Sequence, residues 1–393
     1  MTLVRQDAVI VTGGSGYLGG LVAASLLVED SATVILPIRP HHSADEVIWH
    51  IAFGVSSLGR EFSDAHRRRL RLIPMASPTG MGELGDELAD LRIVEIVHCA
   101  GCLDYFDAET LQQINVELTR HMLELGKRWG VERFTYLSTA YSCGYISGTA
   151  PESPHETPAE DPTDYTRTKR DAETLVVDSG LPFHIIRPSI VIGTLDGRYT
   201  GKRYGVYQLW NGFERLMCRK WAPVLHAVAP DHKLHLVHQD SFQRAYLASR
   251  RDLPANSFLH VTTPPEAAPS MRQLWDLWFR ACARPQRVVY YESVDDLPMR
   301  EIETRQRAFL SLAWTNLQIS SRHWCFATDN LARLRQNGLV FEDVTAESLE
   351  NCQRLFVQES APIQTFLQNH AGQMASWPPV QVTFNREVAG ELA

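Results

Sequence analysis

The 393-residue sequence predicts an α/β fold: a doubly wound parallel sheet with a smaller, mostly helical C-terminal domain. Three observations carry this expectation. Through the first half, short apolar β-branched runs alternate with stretches of helical periodicity, the pattern of repeated βα units. A glycine-rich turn joins the first run to the first helix. Beyond Gly193 the alternation stops and aromatic residues recur at helical spacing.

Each element has its own signal. Residues 8–12 (AVIVT) read as a strand buried on both faces. TGGSGYLGG follows at 12–20, after which Leu18, Val22 and Leu26 recur at helical spacing. Residues 33–38 (TVILPI), 70–74 (LRLIP) and 93–97 (IVEIV) supply the second to fourth strands. Leu111, Ile114, Leu118, Met122 and Leu125 share one helical face. Residues 134–137 and 183–186 are further strands, separated by a helix over about 165–177. The expected division is a sheet domain over 1–245, carrying an inserted segment at about 194–232. A mostly helical substrate domain over 246–380 and a flexible tail over 381–393 follow.

Composition excludes several classes. A hydrophobic fraction of 44% with 21% charged residues suits a chain that buries a large core. The net charge of −8 repels phosphate backbones, so no nucleic-acid partner is expected. No secretory signal is expected from the opening residues, and no apolar stretch comes near the 18 or so residues of a membrane helix. Seven scattered cysteines suit a reducing compartment, so a cytoplasmic location is expected. Cys99 and Cys102 form C-x-x-C without a second ligand pair, and are read as small residues in a strand-to-loop passage. No histidine spacing suggests a metal, and no G-x-S-x-G elbow suggests a serine hydrolase.

Gly13, Gly16 and Gly19 form G-x-x-G-x-x-G between a strand and a helix. The first glycine permits the tight turn, the second lets backbone approach a pyrophosphate, and the third allows close helix-to-strand packing. The helix N-terminus then offers free N–H groups to phosphate. The fold is therefore Rossmann-like. Arg39 ends the second strand, where an NAD-selective site would hold an acidic residue for the ribose 2′-hydroxyl. A guanidinium there suits a 2′-phosphate, so NADPH is the expected cofactor, with Ser15 as a second donor; a solvated strand-end arginine is the alternative.

Tyr165 and Lys169 form Y-x-x-x-K, one helical turn apart. An ammonium at that distance stabilises a phenolate and moves the tyrosine toward a working pKa. Upstream, the run LSTAYS at 137–142 places hydroxyls at a strand end. A carbonyl that accepts hydride develops charge on its oxygen, which a strand-end hydroxyl and Tyr165 would stabilise together.

These motifs resemble the extended short-chain dehydrogenase/reductase superfamily: TGGSGYLG at 12–19, HCAG at 98–101, Asn115, LSTAYS, YTRTK and IIRPSIVIG at 185–193. The STAY run, IIRPSIVIG and HLVHQD at 235–240 resemble most the branch of fatty acyl-CoA reductases and carrier-protein thioester reductase domains. The stretch at 319–334 is similar to the tail of the small domain of fatty acyl-CoA reductases. The resemblance implies Tyr165 as proton donor, Lys169 as its electrostatic partner and ribose ligand, and Thr139 as oxyanion partner with Ser138 as fallback. It implies cofactor contacts at Thr12, Gly13, Ser15, Gly16, Tyr17, Leu18, Gly19, Arg39, Ala100, Gly101, Asn115, Lys169, Pro188, Ser189 and Ile190. Met75-Ala76-Ser77 departs from the Gly-Asp that relatives carry near the adenine, and Val116 to Thr119 lack a usual glycine.

The implied activity is NADPH-dependent reduction of an acyl thioester, on coenzyme A or a carrier protein, to aldehyde or alcohol. The alternatives are a ketone or hydroxyl oxidoreductase, like hydroxysteroid dehydrogenases or sugar-nucleotide epimerases, and a non-enzymatic dinucleotide sensor. Trp210, Phe213, Leu216, Met217, Trp221 and Val224, with Leu274, Trp275, Leu277, Trp278 and Phe279, form either an acyl pocket or a plain helical core. Trp314 and Trp324 follow. Arg67, Arg68, Arg69 and Arg71 either meet coenzyme A or carrier-protein phosphates or are a solvated helix face.

Overall fold

The computed structural model describes residues 5–75, 88, 90–105, 107–199 and 204–384. The chain runs β1 (Gln6–Thr12), α1 (Tyr17–Glu29), β2 (Thr33–Ile38), α2 (Ala44–Ser57), α3 (Asp64–Arg69), β3 (Leu70–Pro74) and β4 (Leu91–His98). It continues through α4 (Ala108–Leu111), a π-helical turn (Gln112–Glu117), α5 (Leu118–Trp129), β5 (Arg133–Leu137), α6 (Asp164–Asp178) and β6 (Phe183–Pro188). Next come β7 (Ile190–Ile192), α7 (Val206–Met217), β8 (Val224–Val228), β9 (Leu236–His238), α8 (Gln239–Asp252) and β10 (Ser257–Val261). The remainder is α9 (Met271–Cys282), β11 (Arg287–Tyr291), α10 (Thr304–Ser320), α11 (Asp329–Gln336), α12 (Ala346–Glu359), α13 (Ala361–His370) and β12 (Val380–Phe384).

The described residues form two compact units. The first holds the chain up to Ser189 together with Gln239–Thr262 and Cys325–Phe341. Its seven-stranded sheet has the order β10-β6-β5-β4-β1-β2-β3, every neighbour pair parallel. From β1 the chain winds outward through β2 and β3, then returns to β4 and winds the other way. The switch point therefore lies between β1 and β4, beside the carboxyl ends where such sheets bind ligands. Parallel strands covered on both faces must be apolar throughout, which is why Ala8, Val9, Ile10 and Val11 are all buried.

The second unit holds Ile190–His238, Thr263–Trp324 and the chain from Glu342 on. It contains a parallel sheet of order β12-β11-β8 and the parallel pair β7-β9. Its core is aromatic. Trp210 and Trp278 stack with centroids 5.4 Å apart, and Trp275 donates to the Val228 carbonyl at 2.9 Å. Trp210, Phe213, Met217, Leu274, Trp275, Trp278 and Phe279 are all buried in that core.

Three boundaries differ from a single cut after residue 245. β10 (SFLHV) completes the large sheet as its seventh strand, and Cys325–Phe341 also joins the first unit. The second unit takes Ile190–His238, more than the insertion expected at about 194–232. Gln381 to Phe384, expected in a flexible tail, pair in register with β11; residues 385–393 lie outside the described residues. Five-residue strands between longer helices leave too short a signal to separate from helical periodicity.

Candidate active site

The glycine turn is a space-limited cradle. Gly13 has φ +68°, and a Cβ there would sit 2.7 Å from the Ala100 nitrogen. A Cβ on Gly19 would lie 2.2 Å from the Gly13 carbonyl oxygen. The Gly16 amide donates to that same oxygen at 2.8 Å, closing the turn. Helix α1 then starts at Tyr17 with no side-chain cap and no acidic residue in its first turn. Its N-terminal amides and positive dipole end are thus left for an anion, so these residues fit a dinucleotide pyrophosphate. Ser15 and Leu18 are half-buried at this turn, whereas Tyr17 is buried and donates to Gln239 Oε1 at 3.1 Å.

A polar relay runs from the glycine turn to the next strand. The Ala100 amide donates to Thr12 Oγ1 at 3.2 Å, and Thr12 Oγ1 lies 2.7 Å from His98 Nδ1. His98 Nε2 lies 3.0 Å from Thr119 Oγ1, which donates to the Asn115 carbonyl at 2.7 Å. Thr119 spends its proton on Asn115, so Nε2 must donate and Nδ1 must accept from Thr12. Burial pushes His98 down to about 3, aided by the Lys169 cation, so the neutral ring holds one tautomer.

Asn115 sits in the π-helical turn, a distortion often found at functional sites. Its side chain accepts from the Cys102 amide at 2.8 Å and donates to Thr168 Oγ1 at 3.0 Å. Asn115 thereby joins the loop after β4 to α6. Cys99 donates its amide to the Thr12 carbonyl, and burial pushes its thiol up to about 12. The C-x-x-C is therefore a packed strand-to-loop passage and holds no ready thiolate at Cys99.

Helix α6 begins at a capping box, Thr163 with Thr166, which fixes where Tyr165 enters the first turn. Lys169, buried, donates from Nζ to the Leu137 carbonyl at 2.6 Å and lies 4.1 Å from the centroid of the Tyr136 ring. Burial lowers the ammonium to about 7 against the opposing pull of Glu173 and Cys99. Tyr165 is half-buried, and burial raises its phenol, with Tyr105 and Cys102 adding to the rise. The phenol thus differs from the expectation of an acidified group: burial is the first cause of its shift.

At the end of β5, Thr139 Oγ1 accepts from the Tyr141 amide at 3.4 Å, which leaves its own proton available. Ser138 Oγ is buried with no hydrogen-bond partner among the described residues. Pro188 ends β6, and Ser189 donates its amide to the Val261 carbonyl at 3.1 Å. Gly101 is exposed after β4, and Ile190 opens β7 in the second unit. Arg39 is exposed immediately after β2. Met75, near the expected adenine contact, is buried; Ala76 and Ser77 lie outside the described residues.

The structure thus brings together the glycine turn, Thr12, Ala100, Asn115, Lys169 and the end of β5 at the carboxyl edge of the sheet. It adds groups that sequence reasoning missed. Glu173, one turn beyond Lys169, binds Arg187 through Nε at 3.1 Å and Nη2 at 2.6 Å and accepts from Ser142 Oγ at 2.9 Å. Arg187 also donates to the Pro151 and Ser153 carbonyls, fixing the loop between β5 and α6. Thr119 and Glu173 each fall four residues after a quoted motif residue, which is the signal that was present. Within the basic run, Arg69 donates to the Leu27 and Asp30 carbonyls at the end of α1, Arg67 to the Leu70 carbonyl, and Arg71 pairs with Asp90, whereas Arg68 is exposed. Among the described residues no cluster of His, Cys, Asp or Glu could hold a metal, and no helix is long and apolar enough to cross a membrane.

Comparison with known proteins identifies the family. Residues 11–245 match the family described as male sterility protein, an NAD-binding family. No curated protein matches the chain. Among solved structures, the chain is similar to the terminal R domain of the myxalamid PKS-NRPS biosynthetic pathway, at 21% identity and a TM-score of 0.71, covering 94% of this chain and 93% of that one. It is also similar to a thiolation-reductase di-domain from an archaeal non-ribosomal peptide synthetase, at 15% identity and a TM-score of 0.62, covering 91% of each chain. A third is the UDP-glucuronic acid 4-epimerase of Bacillus cereus in complex with NAD, at 14% identity and a TM-score of 0.60, covering 90% and 99%. With its glycine cradle and strand order, the chain belongs to the male sterility protein family, and is an oxidoreductase that uses a nicotinamide cofactor.

Proposed function

We propose that this protein reduces an acyl thioester, carried on coenzyme A or on a carrier protein, to the aldehyde or alcohol with NADPH. The observation that carries the reading is the convergence of Lys169, Leu137 and the Ser138–Thr139 hydroxyls beside the glycine cradle. Gly13, Gly16 and Gly19 would hold the pyrophosphate, with Thr12, Ser15, Tyr17, Leu18, Ala100, Gly101, Asn115, Pro188, Ser189 and Ile190 lining the rest of the dinucleotide. Arg39, exposed at the end of β2, would pair with a 2′-phosphate. When bound, the reduced nicotinamide supplies the hydride.

The protein's own groups do the remaining work. Tyr165 donates a proton to the substrate oxygen. Thr139, or Ser138, donates a hydrogen bond to the same oxygen as negative charge develops there. Lys169 supplies the nearby cation and a ribose contact. For a thioester, the tetrahedral product then expels its thiol and leaves an aldehyde. The second unit is assigned to substrate selection, and the protein to the cytoplasm.

The similarity to the two reductase domains supports the carrier-linked thioester; the epimerase similarity supports a second reading, a ketone or hydroxyl oxidoreductase. The test follows NADPH absorbance with a panel of acyl-CoAs, aldehydes and cyclic ketones. Oxidation with acyl-CoAs supports the proposal, and turnover of ketones alone overturns it. Tight NADPH binding with no turnover at all makes the protein a sensor.

A further inference from the structure

Resting on the reading of Tyr165 as proton donor, we propose that Tyr105 is a positioning residue for it: the Tyr105 ring packs over Tyr165, holds the phenol in place and keeps water from it. The two ring centroids lie 5.8 Å apart with planes at 40°, inside the range where aromatic pairs attract. Both side chains are half-buried. The core aromatic Tyr136 is fully buried, whereas Tyr105 and Tyr165 each keep an exposed part.

Tyr105 stands on a loop fastened along its length. At the start, the Cys99 and Ala100 amides are held by Thr12. In the middle, Asn115 makes two hydrogen bonds to Cys102, at 2.8 Å to its amide and 3.3 Å to its carbonyl. At the far end, Asp107 caps α4 by accepting from the Thr110 amide at 3.0 Å. The same Asn115 binds Thr168, three residues along α6 from Tyr165. One side chain therefore ties the loop bearing Tyr105 to the helix bearing Tyr165. Such fastening preorganises a ring to position its neighbour.

Other groups also act on the phenol. Cys102 acts from the same loop, Tyr136 interacts with it from β5, and Lys169 follows it on α6. Burial is the largest cause that raises Tyr165, and the titratable Tyr105 phenol adds a coulombic part that the ring alone would not supply. Taking the ring away admits water and lowers the phenol toward its ordinary range.

The test compares Tyr105→Ala, Tyr105→Phe and Tyr165→Phe, assayed with NADPH and the fastest substrate of the panel above. Each is also followed by NMR titration of 13C-labelled tyrosine rings, in which Tyr165→Phe identifies the Tyr165 signal. Tyr105→Ala is expected to lower kcat/KM about 10- to 100-fold, to move both the alkaline loss of activity and the Tyr165 titration to lower pH, and to leave NADPH affinity unchanged. Tyr105→Phe, which keeps the ring, is expected to restore activity. The inference is overturned if Tyr105→Ala titrates and turns over like wild type, if Tyr105→Phe is as impaired as alanine, or if the loss is of NADPH affinity alone. Should Tyr165→Phe keep its activity, the donor reading falls and takes the inference with it. Should Tyr165→Phe be inactive while Tyr105→Ala is unchanged, only the inference falls.

Discussion

The Lys169 ammonium donates to the Leu137 carbonyl at 2.6 Å, so the helix that carries Tyr165 is bound directly to the strand end that carries Ser138 and Thr139. A β5 shift would move both sides of the proposed oxyanion site together. The contact also holds a cation where burial opposes it, at a pKa of about 7.

This makes Lys169→Met informative. In the cofactor-free protein the folded lysine loses its proton near pH 7, whereas the unfolded chain keeps it to about 10.4. Between those values the unfolded state binds more protons, so this group makes stability rise with pH. Methionine is expected to flatten that rise, to raise stability at neutral pH, and to lower kcat/KM by about 100-fold or more. Urea unfolding at pH 7 and pH 9.5 checks it; an unchanged slope would refute the assignment.

Arg39→Ala should shift cofactor choice rather than abolish turnover. A lost guanidinium–phosphate contact is worth about 1.5–3 kcal/mol, so the NADPH-to-NADH ratio of kcat/KM should fall by roughly 10- to 100-fold. Initial rates with both cofactors decide it. An unaltered ratio would mean the arginine is merely solvated.

Adjacent glycines offer a controlled pair. Alanine at Gly19 would drive a Cβ to 2.2 Å from backbone, whereas at Gly20 the closest contact is 3.4 Å from the Gly14 oxygen. Gly19→Ala is expected to destabilise by about 1–3 kcal/mol or more and to lose dinucleotide binding. Gly20→Ala is expected to bind like wild type. Calorimetric titration with NADPH, alongside thermal unfolding, tests both.

Acid should destabilise the protein through buried neutral histidines. Burial lowers His98, His155 and His260 to about 3 and His184 to about 4. Below about pH 6.5 the unfolded chain takes up protons that the native state refuses, so stability falls with pH. Glu152 works the other way. Burial raises it to about 7, so its contribution is complete below about pH 4.5 and is lost as pH rises through 7. Four groups oppose one, and the urea midpoint is expected to drop between pH 6.5 and pH 5. A midpoint that holds or climbs over that interval would contradict the buried-histidine account.

Sequence alone determined the six strands from β1 to β6, the glycine turn, and the helix bearing Tyr165 and Lys169, because each announces itself within about a dozen residues. Buried parallel strands are apolar throughout, and a phosphate turn needs glycine where a Cβ would strike backbone. Tertiary structure decided the rest. That β10 finishes the large sheet, that Val380–Phe384 pairs with β11, and that Arg69 caps α1 all depend on contacts between residues far apart in the chain. So do the His98 relay and the pairing of Tyr105 with Tyr165. Local periodicity records which face of an element is buried, but it carries no record of the neighbour that buries it.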